Sequence, residues 1–248
     1  MEGTSRYHRF AFACALLLAA LGAACAEKAV APDRESITPP PGTENVYIVS
    51  EGDVILNGRL FGAEHEAVVI LSHMRPNDQS AWFPFAEELA DNGYAALTFN
   101  FRGYGESEGD QDFNKLDEDL SAAVRYMRDR GKREIFLVGA SMGATTSLVT
   151  AAEQRDISGV VAISAPSKFE EQDALGAVSN VTAPKLFIAS EDDTAALLSL
   201  EELLDAAGQP KESEVYTGNA HGTNFFQGEH AAAVRERILR FLQEHGGP

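Results

Sequence analysis

The sequence predicts an α/β fold, a mostly parallel central sheet with helices on both faces. Three observations carry this expectation. Short apolar runs recur along the chain, several of them continuous rather than alternating, as in strands buried on both faces. Between them lie segments whose apolar residues repeat at the helical interval. Finally, 248 residues, 44% of them hydrophobic, suffice for one sizeable core, and no internal repeat divides the chain.

Residues 1–24 differ in kind from the rest. Arg6 and Arg9 precede an uncharged Ala/Leu-rich stretch, Ala11 to Ala24, too short to span a bilayer comfortably but right for the apolar region of a signal peptide. Export is therefore expected. "LGAAC" resembles the bacterial lipobox, which makes Cys25 the lipidated first residue of a membrane-anchored protein facing the periplasm or the cell exterior. It departs from that pattern in having Gly22 where Leu is usual, and "ACA" before Glu27 also suits ordinary cleavage to a soluble secreted or periplasmic form. Residues 25–44 are rich in proline, with Pro32 and the run Pro39 to Pro41, and read as a flexible tether to a domain over 45–248. Removal of Cys14 with the signal leaves at most Cys25, so no disulfide within the chain is expected.

The domain then alternates. Strands are expected at "VYIV" (46–49), "AVVIL" (67–71), "AALTF" (95–99), "IFLV" (135–138), "VVAI" (160–163) and "LFIA" (186–189), with "SEVYTG" strand-like. The helical segment "FAEELADNG" stops at Gly93. Leu116, Leu120, Ala123, Val124 and Met127 mark a second helix and "ATTSLVTAAEQ" a third. "LLSLEELLDAAGQP" stops at Gly208 and Pro210, and Val234, Ile238, Leu239 and Leu242 mark the last helix. In such sheets ligands gather beyond the carboxyl ends of the strands, so the residues just after each apolar run deserve scrutiny.

"GASMG", Gly139 to Gly143, follows one of those runs. The pattern alone arises by chance in roughly one chain in ten of this length. Its placement says more. A serine on a tight strand-to-helix turn needs small residues two places before and after it, and the helix beyond points backbone N–H groups at the space above. Ser141 is thus a candidate nucleophile, and it requires a base and an acid to orient that base. His8 falls in the signal, His65 in an early loop, and His230 and His245 at the final helix, so only His73 and His221 sit just past a strand. His221 follows the serine, as the order Ser, acid, His requires. Glu191, Asp192 and Asp193 all compete for the acid.

These features resemble the α/β-hydrolase family over residues 45 to 245. Besides the elbow, "FRGYGES" (Phe101 to Ser107) is similar to the family's RGxGxS turn, and "LSHMRPNDQSAW" (Leu71 to Trp82) stands where the family has its oxyanion loop. The resemblance selects Asp193 as the acid and implies oxyanion donors at Met142 and at Arg75 or Met74. Two positions depart from the pattern, Met74 where Gly is usual and Asn100 where Asp is usual. His73 is expected to brace its loop, Trp82, Phe83 and Phe85 to pack a helix, and Phe225 and Phe226 stand equally between core and pocket lining. Only about 20 residues, Ala165 to Ala183, occupy the site of the family's lids, so no large cap is expected.

The resemblance implies a serine hydrolase related to esterases and dienelactone hydrolases, acting on a small-molecule acyl substrate through an acyl-enzyme. A peptidase or amidase is the second reading and a non-catalytic binding protein the third. No cofactor is implied, and no His, Cys or Asp spacing matches a metal-ligand set. A net charge of −18 and a pI near 4.6 argue against nucleic acid, an anionic lipid surface or strongly anionic substrates, which such a surface repels.

Overall fold

Eight strands form one sheet in the order β1-β2-β4-β3-β5-β6-β9-β10. A computed structural model describes residues 41–154 and 156–246. The expected signal peptide, Cys25 and most of the expected tether lie outside those residues. In chain order the strands are β1 (Thr43–Val49), β2 (Ile55–Phe61), β3 (Val68–Ser72), β4 (Ala95–Phe99), β5 (Ile135–Ala140), β6 (Gly159–Ile163), the two-residue β7 (Lys168–Phe169) and β8 (Gln172–Asp173), then β9 (Lys185–Ser190) and β10 (Lys211–Tyr216). β2 pairs antiparallel with both neighbours, and every other pair in the large sheet is parallel.

The continuous apolar runs become β3, β4, β5, β6 and β9, whose residues are all buried. β1 begins at Thr43, two residues before the expected domain boundary. β2 went unread because Asn57, Gly58 and Arg59 interrupt its apolar pattern. Each has local work there: the Asn57 side chain accepts from Gln79 Nε2 at 2.6 Å, a Cβ on Gly58 would lie 2.8 Å from the Thr98 carbonyl of β4, and the Arg59 guanidinium lies 4.7 Å over the Phe83 ring.

The described residues form six helices about the sheet: α1 (Phe83–Asp91), α2 (Leu116–Asp129), α3 (Met142–Glu153), the single-turn α4 (Ala174–Ala177), α5 (Thr194–Ala206) and α6 (Ala231–Glu244). The core has two parts, one on each sheet face. One joins the sheet to Leu116, Leu120 and Met127 of α2, Leu148 of α3 and Leu200 of α5. The other joins it to Phe85 and Leu89 of α1 and Val234, Ile238 and Phe241 of α6. Residues 165–183 hold only the β7–β8 hairpin, α4 and a short 3-10 turn, so no large cap stands over the sheet. Among the described residues no helix is long and apolar enough to cross a membrane.

Candidate active site

β3 and β5 are neighbours, but the chain leaves β3 toward β4 on one side and β5 toward β6 on the other. This is the crevice where open α/β sheets bind ligands. Ser141 stands at its mouth, between β5 and α3. Its backbone is left-handed, φ 49° and ψ −115°, a conformation that costs a non-glycine residue of order 1–3 kcal/mol. The strain is held by neighbours: the Ser141 N–H donates to the Ile163 carbonyl at 2.8 Å. A Cβ on Gly139 would lie 2.3 Å from the Gly143 carbonyl oxygen, and one on Gly143 would lie 2.4 Å from that of Ser72. Both elbow glycines are therefore required where strand, helix and neighbouring loop converge.

The two residues expected beside Ser141 arrive from later strands. His221, beyond β10, receives the Ser141 hydroxyl at Nε2 over 2.8 Å and reaches Asp193 Oδ2 from Nδ1 over 2.6 Å. The carboxylate accepts only from an Nδ1 that carries hydrogen, which leaves Nε2 free to accept from the serine. Asp193 stands at the N-cap of α5 yet makes no side-chain cap bond, so the residue type best suited to a cap serves the imidazole instead. Backbone bonds from Glu191 N–H to Tyr216 and from Asp192 N–H to Gly218 tie the two loops together, as does the Ser190 hydroxyl donating to Ala220 at 2.7 Å. Glu191 and Asp192 themselves are exposed. The His221 side chain is 39% exposed and that of Asp193 only 15%, so the imidazole meets solvent while the acid is largely shielded.

The loop after β3 closes the other side. His73 is fully buried; Nδ1 donates to the Met74 carbonyl at 3.0 Å and Nε2 accepts from the Phe101 N–H at 3.2 Å. Burial pulls its pKa down to about 4, against the raising pull of the Met74 carbonyl and Asp78, so it is a neutral brace. Met74 is buried as well, and a Cβ on Gly222 would lie 2.4 Å from its sulfur. The thioether thus fills the space left by the glycine that follows His221. Arg75 is exposed, with its guanidinium 5.2 Å over the Phe113 ring. Met142 is the first residue of α3, and its N–H has no partner within the helix. Asn100 accepts from the Gln79 N–H at 2.8 Å, and its amide packs where Gly105 lacks a side chain.

Residues 63–206, more than half of the chain, match the family described as Serine aminopeptidase, S33. The protein is an α/β hydrolase of this family. The matched span includes Ser141 and Asp193 and stops short of His221. The hydrolase is 25% identical over 251 residues to the uncharacterized protein YfhR of Salmonella typhimurium, an alignment that covers 86% of each chain. It shares its fold with an esterase of Pyrococcus furiosus at a TM-score of 0.71, with 23% identity over 83% of this chain and 91% of that one. The dienelactone hydrolase of Anabaena variabilis is similar at a TM-score of 0.69, with 21% identity over 82% of this chain and 99% of that one.

Several parts of this hydrolase escaped the sequence reading. Arg102 of the RGxGxS turn reaches both carboxylate oxygens of Asp119 in α2, with its terminal nitrogen at 2.7 Å, and the Ser50 hydroxyl donates to the same carboxylate at 2.6 Å. An unpaired arginine in a tight turn was the available signal. Ser164, beyond β6, is left-handed at φ 50° and accepts from the Gly222 N–H at 3.1 Å, which holds the loop carrying His221. Phe225 and Phe226 prove to be core, buried with Trp82 and Phe85. Glu212, Glu244 and His245 bring possible ligand atoms within 4.8 Å of one another at the opposite end of β10, where Arg237 already pairs with Glu212.

Proposed function

We propose that this hydrolase cleaves a carboxylic ester, or a similar acyl bond, through Ser141, His221 and Asp193. The observation that carries the reading is the unbroken run of hydrogen bonds from Asp193 to His221 to Ser141, ending on a strained, glycine-flanked turn in the crevice. Ser141 Oγ attacks the carbonyl carbon as its proton passes to His221 Nε2. The tetrahedral oxyanion is held by the N–H of Met142 and that of Met74 or Arg75, a contribution of about 3 kcal/mol for one donor in comparable sites. Collapse breaks the bond to the leaving group, which departs with the proton from Nε2 and leaves an acyl-serine. Water then attacks that ester with His221 again taking the proton, which passes to Ser141 Oγ as the acid is released and the free enzyme is restored. Asp193 keeps the imidazole in the tautomer that the first step needs.

The short span over residues 165–183 leaves the crevice open to small or varied acyl substrates. A peptidase is the second reading, favoured by the family's description as a serine aminopeptidase. The two separate in a panel of short-chain esters and aminoacyl amides assayed with the wild type and Ser141→Ala. Ester turnover at least tenfold above amide turnover in kcat/KM, lost in the variant, supports the first. Preference for aminoacyl amides sinks it.

We further infer that the protein is exported and anchored through a lipid on Cys25, on the strength of the arginine-flanked apolar stretch and the small residues before that cysteine. Replacement Cys25→Ser should move the protein from the membrane to the soluble fraction. An unchanged distribution refutes the anchor.

A further inference from the structure

Beside His221, the residues Ser164, Pro166, Ala195, Ala196 and Ser199 line, with the imidazole itself, an open-sided hollow of 80 Å³. Its walls come from the end of β6 and from the first turns of α5, the helix that begins immediately after Asp193. Ala195 and Ser199 are four residues apart and Ala196 and Ser199 three, so one face of α5 supplies all three side chains. They are small, and Pro166 is held in place where the Thr145 hydroxyl donates to its carbonyl at 2.8 Å. Ser164 Oγ already accepts the Gly222 N–H, so this polar wall residue is engaged in holding the loop.

Size and position together limit what fits. An apolar cavity of about 150 Å³ takes a benzene ring, and a water-sized group occupies about 30 Å³ in the liquid, so this hollow seats roughly three heavy atoms between its walls, and a ring would project from its open side. One wall is the imidazole that returns the proton to the departing group. The hollow therefore adjoins the group that hands the proton to the leaving-group oxygen.

We infer that this hollow is the leaving-group subsite, and that it selects esters of small primary alcohols, of one to three carbons, over bulky or aromatic ones. The inference rests on the serine-hydrolase reading above and adds which side of the substrate is restricted. Filling the hollow from α5 should erase the preference. Ala195 is exposed, so a leucine there adds three carbons at the hollow without disturbing the core.

The test uses two ester series on the wild type and on Ala195→Leu, with Ser199→Leu as a second variant from the same wall. One series varies the alcohol from methyl to propyl to benzyl on a fixed acid; the other varies the acid on a fixed alcohol. In the wild type, kcat/KM should rise from methyl to propyl by at least tenfold, within the range that methylenes contribute in apolar pockets, and fall at benzyl. In either folded variant the propyl-to-methyl ratio should drop at least tenfold while the ranking of the acid series is kept. An unchanged ratio in both variants overturns the subsite, and a change confined to the acid series shows that the hollow holds the acyl chain instead. A wild type that hydrolyses members of both series without this alcohol preference overturns the subsite alone. One that hydrolyses none overturns it together with the reading it rests on.

Discussion

Two clusters in this molecule are built from the same inventory, a carboxylate, a basic side chain and a serine, and they do opposite things. In one, Asp119 binds Arg102 and Ser50; in the other, Asp193 binds His221, which binds Ser141. The first is sealed: Asp119 is fully buried, Arg102 is 4% exposed, and Asp119 receives hydrogen bonds on both oxygens. Burial alone would lower the Arg102 pKa, but the hydrogen bond and charge of Asp119 outweigh it and hold the guanidinium above its ordinary range. Such a cation keeps its protons at ordinary pH and serves as neither acid nor base, so the cluster pins α2 to the turn after β4. The second is open at one end. His221 meets solvent, and its last bond is to a hydroxyl on a strained turn. On the function proposed above, what separates structure from chemistry is a solvent-facing imidazole bonded to a hydroxyl, not the residue types.

The largest effects should come from breaking the open cluster. Ser141→Ala should lower kcat by roughly 10⁵-fold or more while leaving the unfolding midpoint in urea nearly unchanged. Asp193→Asn should lower kcat by about 10⁴-fold, since the amide favours the wrong imidazole tautomer, again with little change in stability. The sealed cluster should respond in reverse. Asp119→Ala leaves the buried guanidinium with Glu118, at 3.1 Å, as its remaining carboxylate partner and should cost about 3 kcal/mol in urea unfolding. If Asp119→Ala proved harmless to stability and Asp193→Asn severely destabilising, the contrast drawn between the clusters would fail.

His73 sharpens the comparison from a third direction, as a base that is buried yet carries no charge. Its folded pKa of about 4 lies below the ordinary 6.5, so it gains a proton on unfolding between those values. Stability should therefore be complete above pH 6.5 and fall as pH drops toward 4, by about 3 kcal/mol at most from this group. His73→Gln should flatten that part of the profile in urea midpoints measured at pH 6.5 and 4.5. A profile as steep as that of the wild type assigns the fall to other groups.

The layout of strands and helices was legible wherever one local pattern decided it. The buried parallel strands read as unbroken apolar runs, and the α2 face appeared as five residues at helical spacing, all buried. β2 was not legible, because its polar residues are satisfied by partners distant in sequence, Gln79 and β4. Asp119 looked like one of three acids in the first turn of α2, and only the long-range pairing with Arg102 singles it out. The candidate site was legible for a different reason. Glycines flanking a serine, and a histidine just after a strand, are local marks of a turn that the chemistry demands. The choice of Asp193 over its two acidic neighbours came from the family resemblance, and the residues that hold His221, Ser164 and Gly222 among them, leave no local pattern.

Covalent labelling tests most directly the proposal that Ser141 is made nucleophilic by the cluster around it. The domain from Pro41 onward, which keeps all of β1, would be treated with a fluorophosphonate probe, digested and mapped, alongside Ser141→Ala. Modification at Ser141, and at no other serine, with none in the variant, is the predicted result. A well-folded wild type that takes no label, or takes it equally in the variant, would contradict the account.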